Sequence, residues 1–207
     1  MGQVQIVVEG MTASGKSTAV RLLSNALGLK IMQEQAKDHF DLMGRFSRDR
    51  RWAFPMQLNF LTTRFAHYLI ASESENAILD RSIFGDRVYA SLYFTLRFFP
   101  ESQYQMYVSL FDFLLSYIKL PKLLIFTRCS FDEIMRRLLL RNVANELEAG
   151  EEYWSTLYES YENLLHSLEK NPKIPSLLVV DTEKINLVDS EKDKEIFLSD
   201  VKKRLGQ

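Results

Sequence analysis

Short apolar runs separated by amphipathic stretches organise the chain from its first residues. Val4-Gln5-Ile6-Val7-Val8 is rich in β-branched side chains and predicts a short buried strand. Leu29 to Gln33, Ala77-Ile78-Leu79, Leu123-Leu124-Ile125-Phe126 and Ser176 to Val180 predict four more. Between them the apolar positions recur at helical spacing. Ala19 to Leu27 predicts a helix, with Gly28 standing where a C-terminal cap would. A long helix fits Trp52 to about Ser72, where Pro55 is tolerated because it lies in the first turn. Further helices are expected over Ile83–Phe98, Phe131–Arg141, Tyr153–Leu168 and Lys192–Leu205. Tyr104, Tyr107, Val108, Phe111, Leu114, Leu115 and Ile118 lie on one face of another, which Pro121 stops. Strands that alternate with helices and are apolar on both faces imply a parallel sheet covered on both sides. The expected fold is therefore α/β with five parallel strands. No repeat or linker divides residues 1–207, so one domain is expected.

Charge and cysteine content narrow the function classes. With 26 Lys+Arg against 27 Asp+Glu the net charge is −1, which gives no global drive toward nucleic acid or an anionic membrane. Cys129 is the single cysteine, so an intrachain disulfide or a cysteine-based zinc site is excluded. The N-terminus lacks the basic region and long apolar stretch of a signal peptide, and Ile6 stands where a myristoylation motif needs Ser or Thr. The most apolar region, Tyr104 to Leu120, is broken by Asp112 and Lys119 and is expected to be a buried helix, not a membrane span. A cytoplasmic location is the expectation. His39, His67 and His166 are far apart without ligand spacing, which leaves them no metal or triad role.

The chemistry begins where the first strand ends. Gly10-Met11-Thr12-Ala13-Ser14-Gly15-Lys16-Ser17-Thr18 holds the pattern G-x-x-x-x-G-K-[ST] between a strand and a helix. Its glycines let successive backbone N–H groups face one anion at the positive end of the following helix. Lys16 would bring a mobile charge to the outer phosphates of a nucleoside triphosphate, and Ser17 a hydroxyl to Mg²⁺. Asp80-Arg81-Ser82 follows the third strand, at the sheet edge where ligands of open α/β folds gather. Asp80 there can hold the metal through water, and Arg81 can stabilise charge on a transferred phosphoryl. Glu34, just past the second strand, could take the proton from an attacking hydroxyl. Taken singly, each of these charges could equally be a solvated loop residue or half of a structural ion pair.

These segments, with Phe54-Pro55-Met56-Gln57 opening a long helix and Glu151-Glu152-Tyr153-Trp154 opening a later one, resemble the deoxyribonucleoside kinases over about residues 4–181. The resemblance implies a fold with a short lid, ATP as donor with Mg²⁺, a deoxynucleoside as acceptor, and a homodimer. It implies that Glu34 is the general base on the 5′-hydroxyl, that Arg81 steadies that carboxylate and the phosphoryl, and that Gln57 pairs with the base. Arg64 and Asp86 match the Arg–Asp pair found in deoxycytidine, deoxyguanosine and deoxyadenosine kinases, which tilts the expected acceptor away from thymidine. Arg137 and Arg141 would reach the donor's base and phosphates, and Glu146 the sugar 3′-hydroxyl.

Three positions depart from the family pattern. Phe46 stands where a tyrosine would bind the 3′-hydroxyl, Ala90 where a phenylalanine would stack on the base, and Val143 where an arginine would contact phosphate. Two other functions therefore stay open beside the nucleoside kinase. One is a nucleoside monophosphate kinase, which would need extra cations for its acceptor and has no need of Glu34. The other is a weakly active regulatory subunit paired with an active paralogue, against which stand Lys16, Ser17, Glu34, Asp80 and Arg81.

Overall fold

The computed structural model describes residues 2–32, 40–81, 83–143 and 150–206. Its strands are β1 (Ile6–Glu9), β2 (Lys30–Met32), β3 (Ala77–Asp80), β4 (Leu123–Arg128) and β5 (Leu177–Asp181). They form one five-stranded sheet in the order β2-β3-β1-β4-β5, with every neighbouring pair parallel. The expected α/β class and parallel sheet are therefore found. All five predicted strands form, with ends displaced by a residue or two, as sheet pairing and not local pattern sets where a ladder stops.

Each face of the sheet carries its own apolar layer. On one side Ile6, Val8, Ile78 and Ile125 meet Ala19, Val20 and Leu23 of α1 (Lys16–Leu27) and Phe197 and Val201 of α8 (Glu191–Leu205). On the other, Val7, Leu79, Leu124 and Phe126 pack with α3 (Ala53–Ser72), α4 (Asp86–Thr95), α5 (Glu101–Ser116), α6 (Phe131–Arg141) and α7 (Glu151–Lys170). Helix α6 has the predicted bounds because both its ends are encoded locally. The Ser130 hydroxyl accepts from the Glu133 N–H at 3.3 Å, and Asn142 closes the helix in the left-handed region at φ 50°.

The continuous helix expected over Ile83–Phe98 is a correction. Ile83–Gly85 forms a 3-10 turn, and α4 starts at Asp86 and ends at Thr95. Gly85 lies so close to β1 that a Cβ there would sit 2.8 Å from Glu9 Oε2. Arg97, at φ 57°, reverses the chain, and the Phe98 N–H donates back to the Tyr93 carbonyl at 2.8 Å. The helix expected from Tyr104 begins earlier, directly after Pro100, whose extended conformation sets the entry. A short helix, α2 (Leu42–Arg48), has no counterpart in the sequence reading.

Candidate active site

Two clefts of about 1250 and 1380 Å³ open at the carboxyl edge of the sheet, and they share Thr12 and Arg81. The first lies over the loop joining β1 to α1. Gly10, at φ 144°, is required there, since a Cβ would lie 2.3 Å from the Thr127 carbonyl oxygen and 2.7 Å from Ser14 Oγ. Ser14 Oγ and Thr127 Oγ1 lie 2.7 Å apart, and the Thr127 hydroxyl donates to the Glu9 carbonyl at 3.2 Å. These bonds tie the loop to β1 and β4. Gly15, also left-handed at φ 92°, turns the chain into α1, whose N-terminal turn lines the cleft with its positive end.

Lys16 is 7% exposed, and its Nζ donates to the Met11 carbonyl at 2.7 Å. Burial, then the Arg81 guanidinium and more weakly Arg141, push its ammonium down to about 7, against the opposing pull of Asp80 and Glu9. Ser17 Oγ donates to Asp80 Oδ2 at 2.9 Å, which brings a hydroxyl and a carboxylate oxygen together beside the loop. Hard oxygen donors of this kind suit Mg²⁺, whose shell is completed mostly by water and phosphate oxygens. The two residues fit that ion.

Arg81 follows β3 in the left-handed region at φ 68°, with its N–H still bonded to the Val8 carbonyl at 3.0 Å. A non-glycine residue held there is costly and is characteristic of functional sites. The conformation directs its side chain to the seam between the clefts, where Nη2 donates to Thr12 Oγ1 at 3.0 Å.

Arg137 lines the first cleft and is held there by several hydrogen bonds. Its guanidinium donates to Glu133 Oε1 at 2.6 Å, to the Ala13 carbonyl at 3.2 Å, and to the Thr182 hydroxyl and carbonyl at 2.9 Å each. It is a strut that fastens α6 to the phosphate loop while lining the first cleft, with Glu133 kept ionised by Arg136 and Arg137. Arg141 lines the same cleft further out. Val143 is half-exposed beyond the end of α6.

The second cleft runs between α3, α4 and the start of α7. Gln57 and Arg64 line it from the buried face of α3, two helical turns apart as their spacing implied. Arg64 forms an ion pair with Asp86 of α4, and the two side chains are 9% and 0% exposed. Phe46 packs against Tyr93 and Phe98, with ring centroids 5.0 and 5.7 Å away. Ala90, the position matched to a base-stacking phenylalanine, does not line the cleft. Ala90 is fully buried in the core, and Tyr89, its neighbour on α4, lines the cleft beside Tyr93, Tyr153 and Trp154. Glu34, Ser82 and Glu146 lie outside the described residues.

Sequence reasoning passed over Glu9, Tyr89 and Thr182. Glu9 is fully buried, and its charge acts on Lys16. A carboxylate ending an otherwise apolar strand, directly before the loop glycine, was the available signal. Thr182, which donates to the Ser14 carbonyl at 3.0 Å, gave none, because its role depends on the end of β5 lying beside the loop.

A sequence model of the deoxynucleoside kinase family matches residues 6–205. The deoxyadenosine/deoxycytidine kinase of Bacillus subtilis is 29% identical over 186 residues, covering 87% of this chain and 85% of the relative. The deoxyguanosine kinase of Lactobacillus acidophilus is 27% identical over 211 residues, covering 98% and 91%. A structure of deoxyadenosine kinase from M. mycoides with the products dCMP and a flexible dCDP superposes with a TM-score of 0.80 at 27% identity, over 97% of this chain and 100% of that one.

Proposed function

The chain belongs to the deoxynucleoside kinase family, whose members are phosphotransferases, and from that premise we propose that it moves the γ-phosphoryl of ATP to the 5′-hydroxyl of a purine deoxynucleoside or deoxycytidine. The donor triphosphate occupies the first cleft, on the loop and Lys16, with Arg141 toward its outer part, and Ser17 and Asp80 would hold Mg²⁺. When bound, that ion would neutralise charge on the phosphates. The acceptor occupies the second cleft, its base toward Gln57, Arg64 and Asp86 and its 5′-hydroxyl toward Arg81 at the seam. Glu34 serves as the base and Glu146 binds the 3′-hydroxyl. Positioning and charge stabilisation supply most of the rate, as the phosphoryl asks little covalent chemistry of the protein.

The observation that carries the acceptor preference is the buried Arg64–Asp86 pair beside Gln57. A guanidinium, a carboxylate and an amide offer donors and acceptors together, which suits the edge of a purine or of cytosine. The names of the B. subtilis and L. acidophilus relatives agree with it. Labelled ATP with Mg²⁺, offered deoxyadenosine, deoxyguanosine, deoxycytidine, thymidine and the four deoxynucleoside monophosphates, tests the reading. Label on the first three and little on thymidine is expected. Transfer only to monophosphates would make the protein a monophosphate kinase, and no transfer by folded protein would favour a regulatory subunit.

The depressed Lys16 ammonium makes donor binding pH-dependent. The triphosphate favours charged Lys16, so the complex holds more protons than the free protein between pH about 7 and the restored value. Affinity is then highest below about 7 and falls as pH rises, by up to about tenfold per pH unit. At about pH 8, where ATP is itself deprotonated, calorimetry in buffers of different ionisation enthalpy should show proton uptake that Lys16→Met removes. An identical binding heat in all buffers would refute this.

We also propose a homodimer built on α5. Met106, Phe113 and Tyr117 are 62%, 56% and 56% exposed along one stripe, and the Phe113 and Tyr117 rings touch at 4.9 Å. Light scattering should give twice the chain mass, and Phe113→Asp should give the monomer. A wild-type monomer at assay concentration would reject the assembly. Among the described residues no helix is long and apolar enough to cross a membrane. A cytoplasmic enzyme of nucleotide salvage fits this reading.

A further inference from the structure

Thr12 and Arg81, the residues common to both clefts, are bonded to one another, so a phosphoryl passing from donor to acceptor must cross beside them. A third side chain closes on the same point. Tyr89 projects from the first turn of α4 with its ring beneath the Arg81 guanidinium, whose Cζ lies 5.5 Å from the ring centroid. Its phenol lies near enough for both Arg81 and the Thr12 hydroxyl to act on it. The ring is set in turn by Tyr161 of α7, which meets it edge-on at 6.4 Å and 88°. Burial works against ionisation of the Tyr89 phenol, yet Arg81 and the Thr12 hydroxyl draw it below its ordinary value, as a close cation and donor would. Nothing in the conformation of Arg81 alone supplies this constraint, because its guanidinium stands at the end of a long flexible stem.

We propose that Tyr89 is a positioning residue for phosphoryl transfer: its phenol and ring, together with the Thr12 hydroxyl, pin the Arg81 guanidinium across the seam before the substrates arrive. A charge already aimed at the developing phosphoryl costs no reorganisation at the moment of reaction, which is where such groups gain their effect. The inference rests on the kinase reading above. It also assigns a task to a hydroxyl in a cleft wall where stacking alone would be served by phenylalanine.

Tyr89→Phe keeps the ring and removes the hydroxyl. Its kcat should fall about tenfold, with KM for ATP and for the deoxynucleoside within about twofold and the melting temperature unchanged. In an Arg81→Lys background the same substitution should have no further effect on kcat, as the group it holds is gone. The pinning can be read without turnover by NMR of the Arg81 Nε–H, assigned through its loss in Arg81→Lys. That resonance should be ordered in the wild type and mobile in Tyr89→Phe. An active wild type whose Tyr89→Phe variant keeps its kcat, loses as much in the Arg81→Lys background, or leaves Arg81 equally ordered overturns this proposal alone. A folded wild type that phosphorylates no deoxynucleoside overturns the kinase reading, and with it the catalytic purpose of the pin, whatever the order of Arg81.

Discussion

Asp86→Ala should cost the protein about 3–5 kcal/mol of stability, because it leaves the buried Arg64 guanidinium without its counter-ion. Asp86 is fully buried and Arg64 nearly so, which keeps solvent from fully replacing the missing carboxylate. Urea unfolding checks the figure directly. Replacing both partners, as in Arg64→Leu/Asp86→Leu, should restore much of the loss, since a buried pair often exchanges for apolar side chains at little cost. Recognition should behave differently from stability. Both variants are expected to lose the preference for purine deoxynucleosides and deoxycytidine over thymidine, because the double substitution restores packing and not hydrogen bonds. A single variant that unfolds within about 1 kcal/mol of the wild type would show that the pair is weak and open to water. A double variant that keeps the preference would move base recognition to Gln57 alone.

Features that depend on few neighbouring residues were legible in the sequence. The phosphate loop could be read because Gly10, Gly15, Lys16 and Ser17 carry their geometry within one turn, and the structure keeps each in that geometry. Helix α6 has the expected bounds, and in the structure a Ser130 cap and a left-handed Asn142 close its ends. What escaped depended on contacts between distant segments. The break before α4 falls where Gly85 lies against Glu9 of β1, a contact between distant segments that the helical pattern of Ile83–Phe98 does not record. Arg137 was expected to face the donor, but its partners Ala13 and Thr182, which come from far along the chain, could not be read from the sequence. At the acceptor wall, the family resemblance pointed to Ala90, whereas the rotation of α4 presents Tyr89. A shift of one position on a helix turns a side chain by about 100°, enough to exchange wall for core.

Glu34→Gln should lower kcat on the order of 10²–10⁴-fold while ATP binding stays unchanged, if Glu34 is the base. The fold makes the prediction specific. The chain leaves β2 at Met32, in register with Leu79, immediately before Asp80 and Arg81 on the neighbouring strand. Glu34 follows that strand in the sequence, and the reading as base rests on this order and on the family resemblance. Glutamine has the same shape and can still accept a hydrogen bond from a 5′-hydroxyl, but it cannot remove the proton. Acceptor KM should therefore change little and kcat should carry the loss. The transition state of phosphoryl transfer is loose, so the hydroxyl proton departs late, which places the expected loss nearer the lower end of the range. A variant within about tenfold of the wild type would give the proton to another group, and the seam would then act through Arg81 and Lys16 by charge alone.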